Sequence, residues 1–92
     1  MKKVVFLDRD GVINRYPGHF KYVESVRDFV FLKGAKEAIA KLYREGYLLF
    51  VISNQAGVTK GLYSQQTLDE ITEIMLKGIG LSGGKIEKVL YC

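Results

Sequence analysis

Residues 3–14 (KVVFLDRDGVIN) constrain the fold of this chain more than any other segment. Residues 4–7 (VVFL) are consecutive apolar residues, and such a run predicts a strand buried on both faces, as in a parallel sheet. Two carboxylates, Asp8 and Asp10, follow the run directly. Open α/β sheets bind their ligands at the carboxyl ends of their strands, so the sequence predicts a ligand site at this point.

The rest of the chain alternates between helical patterns and apolar runs. Helices are predicted over residues 34–46 and from the N-cap residue Ser64 to a glycine-rich stretch that begins at Gly80. Residues 47–52 and 89–91 predict two further strands. The order β-α-β-α-β predicts an α/β fold with right-handed crossovers and a parallel sheet of about three strands.

Two loops are predicted between these elements. Residues 15–21 contain the only proline and a glycine, which is typical of a loop. Residues 23–31, which follow, are expected to hold one or two short extended pieces. Residues 53–63 form the second loop, after the second strand.

A second polar stretch, Ser53 to Gln55, opens the loop after residues 47–52. Since neighbouring strands lie ~5 Å apart, Ser53 is expected beside Asp8, where its hydroxyl and the following backbone N–H groups can hold phosphoryl oxygens. Mg²⁺ is the expected partner of the two acids, because it binds carboxylate and carbonyl oxygens and commonly shares its site with a phosphate.

Composition excludes several function classes. The chain has 92 residues, enough for one small domain, and its net charge of +4 comes from 14 basic and 10 acidic residues that are scattered along it. Scattered charge does not indicate a nucleic-acid surface, and no apolar run approaches the ~20 residues that span a bilayer. A single cysteine, Cys92, and the lack of a signal-peptide pattern predict a cytoplasmic protein without nucleic-acid or membrane partners.

Two motifs resemble a known enzyme family. Residues 6–14 (FLDRDGVIN) and 51–61 (VISNQAGVTKG) are similar to the first two signature motifs of the haloacid dehalogenase (HAD) superfamily phosphatases. The closer similarity is to the D-glycero-D-manno-heptose 1,7-bisphosphate phosphatases and their histidinol-phosphatase relatives. The resemblance implies that residues 1–92 are the N-terminal part of a three-layer, Rossmann-like HAD domain with a minimal cap. It also implies a hydrolase of carbohydrate metabolism, in lipopolysaccharide biosynthesis, that acts on a small phosphorylated sugar or a similar phosphate ester.

The resemblance assigns roles to residues of both motifs. Asp8 is the nucleophile that becomes an aspartyl phosphate, and Asp10 protonates the leaving oxygen and then activates water. Mg²⁺ is held by the Asp8 carboxylate and the Asp10 backbone carbonyl, and Arg9 helps to shape the loop. The loop through His19 and Tyr22 lines the substrate entrance, with His19 expected at the surface. The implied substrate-binding residues are Asp8, Arg9, Asp10, Ser53, Asn54, Gln55 and Ala56.

Part of the family pattern lies outside these residues. The resemblance implies a lysine and an acidic motif on later segments, and a zinc loop whose first ligand is matched by Cys92. One cysteine cannot form a tetrahedral zinc site by itself, so zinc is expected only in a longer protein. We therefore predict little or no turnover by residues 1–92 alone. Without later strands the first strand has a bare edge, through which self-association is expected.

Three alternatives remain open at this point. Histidinol phosphate or another small phosphate ester is the second candidate substrate. A phosphoacceptor module of the receiver type is a second class, but such domains place their phosphorylated aspartate at the end of the third strand, where this chain has residues 90–92 (LYC). A catalytically idle fragment with a role in assembly is the third class.

Overall fold

The apolar runs of the sequence form one parallel sheet. The computed structural model describes residues 2–92. The sheet order is β1-β2-β3, and both strand pairs are parallel. The predicted β-α-β-α-β order is confirmed. In chain order the elements are β1 (Val4–Leu7), α1 (Ala35–Arg44), β2 (Leu48–Ser53), α2 (Gln65–Leu81) and β3 (Lys88–Tyr91).

Both helices pack on one face of the sheet. The core joins Leu49 and Val51 of the central strand β2 to Ile39 of α1 and to the buried stripe of α2. That stripe is the predicted one, formed by Leu68, Ile71, Met75 and Ile79. Since the central strand supplies core residues that lie under both helices, the helices fix the position of its carboxyl end.

The opposite face of the sheet is uncovered within residues 2–92. Val4 and Phe6 of β1 are 49% and 62% exposed, and Ile52 and Leu90 on the neighbouring strands are exposed on the same face. The prediction that the first strand is buried on both faces is therefore wrong for these residues. The physical reason is that α1 and α2 share one face, so the described residues build two layers of the predicted three.

The helix ends follow the predicted capping signals with one exception. Ser64 caps α2, and its side-chain oxygen accepts a hydrogen bond from the Thr67 backbone N–H. Gly46 has a φ of 92°, a left-handed conformation that ends α1 at little cost for glycine. Of the glycines in the stretch predicted to end α2, Gly80 lies inside the helix, which continues to Leu81, and Gly83 is the left-handed residue after it, with a φ of 91°.

The long connection between β1 and α1 is anchored to the core by apolar side chains. Ile13, Val23 and Phe29 are buried, and Asn14 forms an isolated antiparallel β-bridge with Phe31. Instead of the one or two extended pieces predicted for residues 23–31, the structure has a short 3₁₀ turn, Val26–Asp28, and that bridge. Neither helix among residues 2–92 has the length and apolar character that a membrane-spanning helix needs.

Candidate active site

The loop after β1 is a tight turn that places two carboxylates at the end of the strand. The Arg9 carbonyl accepts backbone N–H groups from Val12, Ile13 and Asn14, at 3.2, 2.8 and 3.2 Å. Gly11 has a φ of 86°, which only glycine adopts without strain, so the glycine after the acids has a structural reason. This turn brings the chain back on itself directly after the two carboxylates.

The two carboxylates have different surroundings. Asp8 is exposed, and its Oδ1 accepts the backbone N–H of Arg9 at 2.8 Å. Asp10 is largely buried, with a side chain 16% exposed, and its Oδ1 accepts both Arg9 Nε at 2.9 Å and Asn14 Nδ2 at 3.1 Å. Asp8 is therefore accessible to a ligand, whereas Asp10 is held in one orientation with Oδ2 outside these two bonds.

Arg9 points inward. It is fully buried, and its guanidinium lies 6.0 Å from the centre of the Phe29 ring and 5.7 Å from that of Tyr91. Its Nη1 donates to the Tyr91 hydroxyl at 3.4 Å. Arg9 was among the predicted substrate-binding residues, and the structure places its fully buried side chain against Asp10 and two aromatic rings.

The end of β2 holds a second, uncharged network. Ser53 and Gln55 are buried, and Gln55 Nε2 donates to Ser53 Oγ at 2.9 Å. The Tyr63 hydroxyl in turn donates to Gln55 Oε1. Burial raises the pKa of Tyr63 above its usual 10.0, so the hydroxyl keeps its proton and remains a donor. Ser53 is the last residue of β2, one residue beyond the predicted end of that strand.

Asn54 and Ala56, also predicted to bind substrate, form the outer part of this loop. Asn54 is exposed, and its Oδ1 accepts the backbone N–H of Ala56 at 3.1 Å in an Asx-type turn. Gly57, which follows, lies directly against the Tyr63 ring, where a Cβ would clash. The loop therefore turns tightly around the tyrosine that supports Gln55.

The strand register brings the two polar loops to the same edge of the sheet. Leu7 pairs with Val51, so Asp8 follows at the level of Ile52, one residue before Ser53. Adjacent parallel strands are ~5 Å apart. The end of β3 lies beside them, since Ser53 pairs with Tyr91. The three strand ends therefore lie side by side at this edge of the sheet.

Tyr91 and Tyr63 are residues of this region that the sequence reasoning missed. The Tyr91 hydroxyl lies 2.7 Å from Thr72 Oγ1 and 3.4 Å from Arg9 Nη1, so it joins α2 to the acid loop. Tyr91 contacts residues far away along the chain, and Tyr63 contacts Gln55, eight positions earlier in the same loop. Neither spacing belongs to a periodic pattern that a sequence shows. For Tyr91, its place at the end of the third strand is the one signal that was available.

The loop that carries His19 and Tyr22 lies against the second polar loop. The Tyr22 hydroxyl accepts Lys60 Nζ at 3.2 Å, and its ring centre lies 6.2 Å from that of Tyr63. His19 is exposed and its ring is 3.9 Å from that of Phe20. The surface position expected for His19 agrees with this, while the lining of a substrate entrance stays a prediction.

The donor set fits a magnesium ion that completes its shell with other ligands. Within residues 2–92 no three His, Cys, Asp or Glu side chains come together as a metal-binding group. Asp8 nevertheless offers an exposed carboxylate, and Mg²⁺ usually takes one or two carboxylates and fills its remaining positions with water and phosphate oxygens. Cys92 is an exposed free thiol, so the described residues do not provide a zinc site around it.

Curated phosphatases are similar in sequence to nearly the whole chain. The chain is 41% identical over 91 residues to the D-glycero-beta-D-manno-heptose-1,7-bisphosphate 7-phosphatase of Vibrio cholerae, covering 99% of this chain and 47% of that protein. It is 38% identical over 90 residues to the D-glycero-alpha-D-manno-heptose-1,7-bisphosphate 7-phosphatase of Campylobacter jejuni, covering 98% and 51%. The chain thus spans about half the length of the curated relatives it matches. No family model matches it.

Solved structures agree with this similarity. The D,D-heptose 1,7-bisphosphate phosphatase of B. bronchiseptica, complexed with magnesium and phosphate, matches with a TM-score of 0.91 at 31% identity, over 98% of this chain and 49% of that chain. The D,D-heptose 1,7-bisphosphate phosphatase of Burkholderia thailandensis matches with a TM-score of 0.77 at 37% identity, over 99% and 52%.

The fold places the chain among known structures. It shares the parallel-sheet fold of the HAD-like phosphatases that match it. Its homologues are D-glycero-D-manno-heptose-1,7-bisphosphate 7-phosphatases, and it aligns with about half the length of each. The resemblance stated from the two motifs is thereby confirmed.

Proposed function

We propose that this chain is the nucleophile-bearing part of a Mg²⁺-dependent phosphatase that hydrolyses D-glycero-D-manno-heptose 1,7-bisphosphate. The observation that carries the proposal is the pair of carboxylates at the end of β1. Asp8 is open to a ligand, while Asp10 is held beside it by two N–H donors. The substrate is inferred from the relatives, which are named for this phosphatase activity.

The reaction proceeds in two steps at Asp8. A carboxylate oxygen of Asp8 forms a bond to phosphorus while the bond between phosphorus and the sugar oxygen breaks, and Asp10 Oδ2 gives its proton to that oxygen. Asp10 then takes a proton from water, which attacks phosphorus and releases phosphate and free Asp8. Two carboxylates serve two roles because their surroundings differ.

A bound Mg²⁺ would be held by the Asp8 carboxylate and the Asp10 backbone carbonyl, and it would offset the repulsion between Asp8 and the phosphate. Ser53 holds a phosphoryl oxygen through its hydroxyl, and Asn54 and Ala56 form the turn beside it. Gln55 contributes by orienting the Ser53 hydroxyl, since its amide donates to Ser53 Oγ. The Arg9 side chain is fully buried and contributes through its contact with Asp10.

Two further parts of the proposal concern groups beyond this site. Cys92 would supply one ligand of a structural zinc site, with three other ligands from outside residues 2–92. A cytoplasmic location also stays a prediction. Both follow from the resemblance and from cysteine usage.

The chain is also proposed to self-associate through the outer edge of β1. That edge has no partner strand within residues 2–92, and Phe6 beside it is 62% exposed. Size-exclusion chromatography with light scattering should show a dimer that Phe6→Lys converts to monomer, because lysine on an edge strand opposes pairing. Leu81→Lys, at a still more exposed apolar residue at the end of α2, is the control and should leave the dimer intact. A folded wild-type monomer would contradict this part of the proposal.

The substrate is tested with a fusion protein in which residues 1–92 precede the part of the Vibrio cholerae relative that the chain does not match. We expect Mg²⁺-dependent release of phosphate from heptose 1,7-bisphosphate, lost with EDTA, and much slower release from histidinol phosphate. A preference for histidinol phosphate would favour the alternative substrate. Hydrolysis that persists without divalent metal would contradict the proposed chemistry.

The chain alone is tested without turnover. Beryllofluoride with Mg²⁺ should give a bound fluorine signal by ¹⁹F NMR, and the signal should disappear in Asp8→Asn, because the mimic forms on the nucleophilic carboxylate. Titration calorimetry should show Mg²⁺ binding that the same variant weakens. A bound signal that survives in Asp8→Asn would reject Asp8 as nucleophile, and no signal would favour the catalytically idle fragment.

A further inference from the structure

We propose that Arg9 and Asn14 are positioning residues for the acid-base step, because together they hold Oδ1 of Asp10 and leave Oδ2 as the oxygen that transfers the proton. The inference rests on the proposed function, in which Asp10 is the general acid. It assigns a role to a buried arginine and a buried asparagine that lie beneath the site and have no surface of their own.

The first argument is the geometry around one oxygen. Arg9 Nε and Asn14 Nδ2 reach Asp10 Oδ1 at 2.9 and 3.1 Å, so two N–H donors converge on the same atom. An oxygen that carried the acidic proton would direct its own O–H towards one of those donors, which is unfavourable. The proton of the neutral carboxyl is therefore confined to Oδ2, and the rotation of the carboxyl group is restrained.

The second argument is that the two donors are themselves held. Arg9 and Asn14 are both 0% exposed. Asn14 Nδ2 also donates to the Arg15 carbonyl at 3.0 Å, and Arg9 Nη1 reaches the Tyr91 hydroxyl at 3.4 Å. Removing a buried arginine from water is costly unless it gains well-made partners, and its main charged partner here is the carboxylate of Asp10.

The third argument is that this arrangement is linked to the scaffold of the fold. The Tyr91 hydroxyl lies 2.7 Å from Thr72 Oγ1, which in turn donates to the Leu68 carbonyl in α2 at 2.8 Å. The orientation of Asp10 is thus tied through Arg9 to the end of β3 and to the longest helix. A proton donor held on such elements keeps its direction while substrates and products exchange.

The role is tested with two substrates whose leaving groups differ in their need for a general acid. A sugar oxygen leaves poorly without a proton, whereas the p-nitrophenolate ion leaves without one. In the fusion protein described above, Asn14→Leu should lower kcat for heptose bisphosphate about 10- to 100-fold, a part of the 10²–10⁴ that general acids contribute. For p-nitrophenyl phosphate the loss should be less than about 3-fold, with KM for both substrates nearly unchanged.

Two further variants complete the test. Arg9→Lys keeps the positive charge but has no N–H at the position of Nε, so it should show the same selective loss. Gln66→Leu is the matched control, because Gln66 also donates an amide N–H to a carboxylate, that of Glu70 at 3.3 Å, but on the exposed side of α2. It should leave both substrates unaffected. Circular dichroism checks that each variant is folded.

Equal losses for both substrates in Asn14→Leu would overturn the positioning role, even if the parent protein hydrolyses heptose bisphosphate as proposed. If the parent does not hydrolyse it, the proposed function fails, and NMR of residues 1–92 then decides whether Arg9 and Asn14 hold Asp10 Oδ1. The Arg9 Nε–H and Asn14 side-chain amide signals should be protected from exchange, and both should shift in Asp10→Ala. The inference would be overturned if these N–H groups exchange freely, or if their chemical shifts do not change in Asp10→Ala.

Discussion

The loop after β1 and the loop after β2 meet at one edge of the sheet, but different groups hold them in place. The first is held by charge, because the buried guanidinium of Arg9 lies against the carboxylate of Asp10. The second is held by neutral groups, in a line from Tyr63 through Gln55 to Ser53. The difference suits their proposed work: the first loop moves protons and forms a bond, whereas the second keeps a hydroxyl in position.

The largest expected effect is in the first loop. Asp8→Asn removes the nucleophile, so the fusion protein should lose all measurable phosphate release, because Asp10, the other carboxylate at the end of β1, is held by Arg9 and Asn14 for the acid-base step. Phosphate release is measured under saturating substrate and Mg²⁺. Asp69→Asn, on the exposed side of α2, is the control and should retain full activity. Residual turnover in Asp8→Asn close to that of the control would contradict the statement that the first loop forms the bond to phosphorus.

Ser53→Ala should have the next largest effect. It removes one hydroxyl that holds a phosphoryl oxygen, and a single such donor typically contributes about 10²–10³ in rate. The nucleophile Asp8 and the acid Asp10 remain in place, so the loss should be partial. Steady-state kinetics of Ser53→Ala and Asp8→Asn side by side measure the contrast between the two loops. A loss as complete as that of Asp8→Asn would mean that both loops take part in bond formation.

The sequence predicted the parts of this site that depend on local patterns. The run of residues 4–7 followed by Asp8 and Asp10 marks a strand end, and the spacing of apolar residues along α2 marks its buried face. Capping at Ser64 was predictable for the same reason, since both partners lie within one helical turn. The strand end, the buried helix face and the cap are each formed by residues close together along the chain, and a sequence pattern reflects such local relations.

The parts that could not be predicted depend on partners distant in sequence. Arg9 is a charged residue in a turn, which is usually exposed, and it is buried because Phe29 and Tyr91 fold over it from elsewhere. A continuous apolar run likewise predicts burial on both faces of the sheet. Phe6 is exposed because both helices lie on the opposite face. No local pattern records which face a helix will cover.

The packing of the second loop gives the third prediction. A Cβ on Gly57 would clash with the Tyr63 ring and lie 3.2 Å from Tyr22 Cγ, so Gly57→Ala should lower the free energy of unfolding by about 2 to 3 kcal/mol. Gly80→Ala is the control, because a Cβ there meets nothing within 4 Å and alanine favours helices, which should raise stability by about 1 kcal/mol. Urea denaturation measures both. An unchanged midpoint for Gly57→Ala would show that the second loop is not tightly packed.

Tyr63→Phe separates the hydrogen bond from the packing. The ring remains, but Gln55 Oε1 loses its donor in a buried position, which should cost about 1 to 2 kcal/mol of unfolding free energy. The exposed Tyr43 of α1 provides the control Tyr43→Phe, for which no loss is expected. If the two variants have equal stability, the hydroxyl of Tyr63 does not support the second loop.

The smallest expected effect is the pH dependence of that same hydroxyl. Burial raises the pKa of Tyr63 in the folded state above the usual 10.0 of the unfolded chain, so the folded state holds this proton more tightly. The stability that results is fully present below about pH 10.0 and is lost as pH rises through the raised pKa. Unfolding free energies at pH 9 and about pH 11 should therefore fall more steeply for the wild type than for Tyr63→Phe. Since the other tyrosines are common to both proteins, their titration cancels in the difference, and parallel slopes would show that the second loop gains nothing from keeping Tyr63 protonated.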